Sequence, residues 1–246
     1  FAASGLRRSL PNRLIPRLLF PHLELAMNKI RPLLLAAVLV AGVLTFAQPM
    51  AVAAPASKAA TTAVVALKPV SGTYTLDPSH TNVLAQWTHF GFSQPTAEFR
   101  ISEGALVFDA ANVAKSSVAV SFPIMQIDSF VPQLDKHLQS ADFFDAAKFP
   151  MASFKSTSVK PAGLNKFTVV GNLTIKDISK PVTLAVTMNG AGKHPMAGKQ
   201  AIGFTATASI KRSDFGVGAY APNVSDEVHL RITTEGMLAD AATTAK

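Results

Sequence analysis

The 246-residue sequence contains no cysteine. That excludes disulfides, a thiol nucleophile, thiolate metal sites and the acylated cysteine of a lipoprotein. Stability must therefore come from an apolar core. There is no G-x-S-x-G elbow and no Gly-rich phosphate loop, and the acidic residues are spread singly, mostly in turns. His80, His89, His137, His194 and His229 lack the close spacing that shared metal ligation needs, so no metal site is expected. Long hydrophobic runs are missing too. The longest, Pro32 to Phe46, is short of the roughly 20 residues that a spanning helix requires.

That run belongs to a recognisable leader. Lys29 and Arg31 make a basic start after Met27, and Ala51-Val52-Ala53 is a small-residue cleavage site. Residues 27–53 are thus expected to be a secretory signal peptide that delivers the chain to the periplasm. Residues 1–26, with Arg7, Arg8, Arg13 and Arg17, read as an over-extended start. The formal charge of +8 owes much to this leader. Without residues 1–53 the chain keeps 17 basic and 14 acidic residues, a net +3, which is no argument for nucleic-acid binding.

Residues 54–70, rich in Ala, Thr, Ser and Pro, read as a flexible linker, and 239–246 as a flexible tail. Between them, one domain (71–238) is built from runs with period-two alternation, separated by Gly, Pro, Asn and Asp clusters. Val83, Ala85, Trp87 and His89 share one face, and Leu84, Gln86 and Thr88 the other. The same alternation puts Val118, Val120 and Phe122 on one face, then Val169, Leu173 and Ile175, then Val182, Leu184 and Val186. Ile202, Phe204, Ala206, Ala208 and Ile210 follow, and finally Val228, Leu230 and Ile232. The opposite faces carry mostly Thr, Ser, Asn, Lys and Arg. About eight such strands with almost no helix must close on themselves or pack as a sandwich. The polar second faces suit water, the reverse of a membrane barrel.

Leu134 and Leu138, four apart between Pro132 and Gln139-Ser140, predict a short amphipathic helix around 132–140 near one end of the sheet. The Gly-rich stretch Asp214 to Ser225, which holds Tyr220, is a second candidate flap.

Several blocks stand in a fixed order and spacing: Tyr74-Thr-Leu-Asp77-Pro-Ser-His80-Thr81 with Val83 to Phe92, and Ile127-Asp128-Ser129 with Asp135-Lys-His137-Leu138. They continue through Ser140 to Asp145, Phe149-Pro150, Gly171 to Ile175, Lys180 to Leu184, Arg212 to Gly216 and Asp226-Glu-Val228. Together these blocks resemble the YceI-like polyisoprenoid-binding periplasmic proteins over Gly72 to Leu238. The chain departs from the family's usual pattern at Ala85, where a bulky apolar residue is common, and at Leu134, where an arginine often precedes the aspartate.

The resemblance implies an all-β, lipocalin-like closed antiparallel barrel that encloses an isoprenoid lipid or isoprenoid quinone, with no cofactor required and no catalysis. Burying a hydrocarbon tail gains about 25 cal/mol per Å² removed from water, without directional bonds. Candidate lining residues are Trp87, Phe99, Phe122, Phe154, Leu173, Leu184, Phe204 and Ile210. Taken alone, these side chains would equally make a solid barrel core. His89 is read either as a headgroup donor at the mouth or as an inner-face histidine bonded to a backbone carbonyl. Arg212 is expected to pair with a carboxylate and pin the last two strands. Expected partners are the lipid, a membrane or membrane protein in passing, and a second copy in a homodimer, but not nucleic acid. Two rival readings are a lipid- or quinone-modifying enzyme using His89 or the Asp135 and His137 pair, and an envelope protein that binds a partner through its outer face.

Overall fold

The computed structural model describes residues 65–240. The over-extended start, the signal peptide, linker residues 54–64 and tail residues 241–246 lie outside the described residues.

Ten strands and one α-helix follow one another along the chain. They are β1 Gly72–Leu76, β2 Asn82–Gln86, β3 Thr96–Arg100, β4 Glu103–Phe108, β5 Ser117–Pro123, α1 Pro132–Gln139, β6 Met151–Gly163, β7 Lys166–Ile175, β8 Ile178–Lys193, β9 Gln200–Lys211 and β10 Glu227–Leu238. Every pairing is antiparallel. β1 and β2 are two halves of one stave, because both pair with β10, β1 at Tyr74↔Leu238 and β2 at Leu84↔Arg231. β3 and β4 form the next stave in the same way, against β2 and β1. The rest follow in chain order to β10, which pairs along its whole length with β9 and closes the ring onto the first stave. Ten strands thus make the eight staves of a closed up-and-down barrel.

The register carries the alternation inward. Phe154 faces Leu173, Val169 faces Leu184, and Ala206 lies between Val186 and Ile232. The intervening pairs, such as Lys155 with Asn172 and Arg231 with Thr207, face out. An apolar inside and a polar outside is the arrangement suited to water. Among the described residues no helix is long and apolar enough to cross a membrane.

One end of the barrel is plugged by Tyr74, Phe108, Met188, Ile202 and Phe204, all buried. The chain enters at this end, and here the linker expectation needs correction for its last residues. The Asn165 amide donates to Val65 O at 2.8 Å and accepts from Leu67 N at 3.1 Å, while the Tyr74 hydroxyl donates to Val70 O at 2.7 Å. Composition reads 65–70 as a tether; a distant turn amide ties it down.

The other end is built from irregular chain. α1 matches its predicted span, with Leu138 buried, and Phe143 and Ala146 beyond it pack into the main core. A break in the first stave is locked by charge. The Asp77 carboxylate caps the turn at Ser79 N (2.8 Å) and bonds His80 Nδ1 (2.7 Å), which also lies 3.3 Å from Glu235 Oε1 on β10.

Hydrogen bonding to Asp77 and the nearby Glu235 charge raise the His80 pKa above its ordinary 6.5. His80 and Ser79 in turn hold Asp77 below its ordinary 3.8. The His80 contribution is therefore complete below about pH 6.5 and lost as pH rises through its raised folded value; the Asp77 contribution is lost as pH falls through its depressed one. The difference in melting temperature between wild type and His80→Ala should be larger near pH 5.5 than near pH 8, measured calorimetrically. A second prediction concerns Gly171, where an added Cβ would sit 2.3 Å from Phe154 Cζ and 2.7 Å from Lys155 O. Gly171→Ala should cost roughly 1–3 kcal/mol in denaturant unfolding by driving the Phe154 ring from its seat.

Candidate functional site

An eight-stranded barrel is just wide enough either to be filled by its own side chains or to hold one small ligand. Small inner residues decide the matter here. Ala85, Ala97, Ala152 and Ala206 face inward where larger side chains would meet across the lumen. The result is a cavity of about 740 Å³, within the roughly 300–1,000 Å³ usual for ligand sites. Inward-facing Leu173, Leu184 and Val186 are only partly buried, as the walls of a hollow are.

All nine residues singled out from the sequence stand on this wall. Phe204 lies toward the plugged end, and Phe122, Phe154, Leu173 and Leu184 line strands β5 to β8. Phe99 meets Phe144 edge-on at 5.8 Å between ring centroids. Ile210 and Trp87 lie toward the open end. The two departures from the family pattern, Ala85 and Leu134, also face the cavity.

His89 sits at the mouth. Its backbone N–H donates to Ser93 O at 2.9 Å, and its exposed ring lies edge-on to Phe90 at 4.6 Å. Among the described residues the ring has no hydrogen-bond partner, so the alternative of an inner-face histidine bonded to a backbone carbonyl does not apply. His137 on α1 also faces the cavity, packed at 4.9 Å from Phe143 and 6.0 Å from Tyr220. Asp135 bonds elsewhere. Its carboxylate accepts from the backbone N–H (2.7 Å) and hydroxyl of Ser129. Two apart on a helix, Asp135 and His137 point in different directions and form no acid–base pair.

Arg212 corrects another expectation. Its guanidinium is buried and pairs with no carboxylate among the described residues. Instead Nε donates to Ser225 O (2.8 Å), Nη1 to Val217 O and Ala219 O (2.7 Å each), and Nη2 to Val224 O (2.7 Å). Asp226 accepts from Ser213 N and Ser213 Oγ. The reason is geometric. The carbonyls of Val217, Ala219, Val224 and Ser225 have no backbone donor among the described residues, and the planar fork of Arg212 supplies donors in their place. Burial pushes the Arg212 pKa below its ordinary value, against the smaller opposing influence of Asp226. The Gly216 turn itself needs its left-handed backbone, φ 68°.

Sequence reasoning missed several wall residues: Phe90, Phe143, Phe144, Val217 and Val224. They lie in segments without a hydrophobic period, so no pattern marked them. In α1 the four-residue spacing of Leu134 and Leu138 was the available signal.

Replacing Arg212 by Met should leave four buried or half-buried carbonyls without donors, at a cost of about 2–4 kcal/mol. Hydrogen exchange should rise first in 216–226, ahead of the barrel strands.

Comparison with known proteins places this architecture. A YceI-like domain profile matches residues 74–236. Among named relatives, a UPF0312 protein of Azotobacter vinelandii is 39% identical over 158 residues, covering 64% of this chain and 82% of that protein. Protein YceI of Salmonella arizonae is 38% identical over 170 residues, covering 68% and 88%. Among solved structures, Burkholderia cenocepacia BcnA superposes with a TM-score of 0.59 at 28% identity, covering 65% of this chain and 98% of that one. The Campylobacter jejuni YceI protein gives 0.54 at 30% identity, covering 62% and 90%. With the profile spanning β1 to β10 and relatives of this similarity, the chain belongs to the YceI-like family.

Proposed function

We propose that the protein holds a long isoprenoid lipid or isoprenoid quinone in its barrel and carries it through the periplasm, loading and unloading by transient contact with a membrane. The observation that carries this reading is the cavity lining, which includes no Asp, Glu or Lys side chain. Its one guanidinium, Arg212, is largely committed to backbone carbonyls. Such a wall offers a hydrocarbon tail hydrophobic and dispersion contact along its length. The two imidazoles and the phenol of the lining, His89, His137 and Tyr220, stand at one end, where the head of an amphiphile would meet them, while the remaining polar lining is limited to small Ser and Thr hydroxyls and Arg212. The signal peptide expected at 27–53 and the isoprenoid cargo implied by the family resemblance support the same reading. Among the described residues His89 stands alone and Asp135 is turned away from His137 onto Ser129, which favours holding a ligand over converting it.

Organic extraction and mass spectrometry of chain 54–246, purified without detergent from its own host, should release a stoichiometric polyprenyl species. Ala206→Phe places a ring in the lumen between Val186 and Ile232 and should weaken uptake of a polyprenyl probe by about tenfold or more, with the melting temperature nearly unchanged. Wild type that repeatedly carries no apolar ligand and takes up none would sink the reading.

A further inference from the structure

The exposed aromatic side chains are concentrated at the mouth. Phe92 is 93% exposed, Phe130 68%, Tyr220 60% and Phe90 53%. They sit on three segments, Trp87–Pro95, Ser129–Leu134 and Phe215–Ser225, none of which contains Lys, Arg, Asp or Glu. The first and third are stitched together by Phe90 N to Asn223 O and Ser225 N to Thr88 O, both 2.8 Å. Tyr220 of the third reaches His137 on α1, directly after the second. The plugged end differs in character. Its turns and strand ends carry Lys115, Lys160, Lys166, Lys193 and Lys199, with Asp109 and Asp240 among them, and no exposed aromatic ring among the described residues.

The backbone holds these rings outward at a cost. Phe90, Phe130 and Tyr220 have φ of 50°, 63° and 66°, a left-handed conformation that bulky residues rarely adopt. A glycine or asparagine would fit those turns with less strain. Large uncharged rings on strained turns gain most where apolar surface can leave water. Because Phe90 and Tyr220 also line the cavity, the exposed rim runs without a break into the apolar lumen.

We infer that this rim is a docking surface for a lipid bilayer, with the rings of Phe92, Phe130, Tyr220 and Phe90 seated at the interface so that cargo passes between bilayer and lumen without crossing water. The inference rests on the carriage reading and names its partner. The four rings stand on uncharged stretches, with the charges of that end on the flanking turns, among them Lys176, which donates to Gly216 O at 3.2 Å, while the opposite end presents no exposed aromatic ring among the described residues. Aromatic rings are favoured at the headgroup boundary, and exposed apolar patches continuous with a binding cavity mark interaction sites.

The absence of cysteine permits the test. Phe92→Cys, and separately the far-end Met196→Cys, is labelled with an environment-sensitive fluorophore and mixed with phosphatidylcholine vesicles. The label at 92 should shift to the blue and the one at 196 should not. The shift should persist to about 0.5 M salt, because no charge pairing is involved. Phe92→Ser with Phe130→Ser, neither of which lines the cavity, should slow extraction of a polyprenyl probe from vesicles by about tenfold. Its affinity for geranylgeraniol added in solution should stay within about twofold of wild type. Equal response at 92 and 196, or none at 92, overturns docking, as does wild-type extraction by the double variant. Self-association that depends on Phe92, without vesicle binding, overturns it in favour of contact between copies. Failure of wild type to bind geranylgeraniol counts against the carriage reading alone, since the label at 92 reports docking whether or not cargo is held.

Discussion

The structure depends on β10, which pairs on one edge with β9 and on the other with both halves of the first stave. Closure removes the sheet edges, and it also sets the size of the lumen. Once eight staves close, the interior diameter no longer adjusts to the side chains inside it. Alanines at 85, 97, 152 and 206 then leave a hollow that the surrounding chain cannot collapse to fill. The apolar wall lacks contact partners on its inner side, and an apolar occupant would restore them.

Closure leaves a second problem at the open end, where long connections have no strand to pair with. Arg212 answers it by replacing a strand's worth of donors with one guanidinium. The same long segments bring Leu134, Phe143, Val217 and Tyr220 onto the cavity wall, so the elements with the least regular hydrogen bonding shape its open end. The first stave has a smaller version of the same device, where Asp77, His80 and Glu235 hold its break against β10. In both places side chains satisfy backbone that the sheet cannot reach.

The mouth and the plugged end are built differently. Apolar packing of Tyr74, Phe108, Met188, Ile202 and Phe204 seals one end beneath the chain's point of entry. The other end keeps its rings on exposed turns. The two ends differ in where their rings lie, buried at the sealed end and exposed at the open one.

By itself the sequence determined which face of each strand turns inward, because a pleated strand allows only two choices and the period-two alternation from Val83 to Ile232 settles between them. It also marked α1 through Leu134 and Leu138, and all nine wall positions chosen from it. Alternation cannot report the space between opposite walls, so whether Phe122, Phe154 and Phe204 fill a core or line a cavity was decided only when closure set the lumen's width and left Ala85, Ala97, Ala152 and Ala206 facing into it. Nor does it reach segments without a period. The Arg212 carbonyl cluster, the wall residues Phe143, Phe144, Val217 and Val224, and the docked residues 65–70 are set by contacts between distant parts of the chain, which only the tertiary structure brings together.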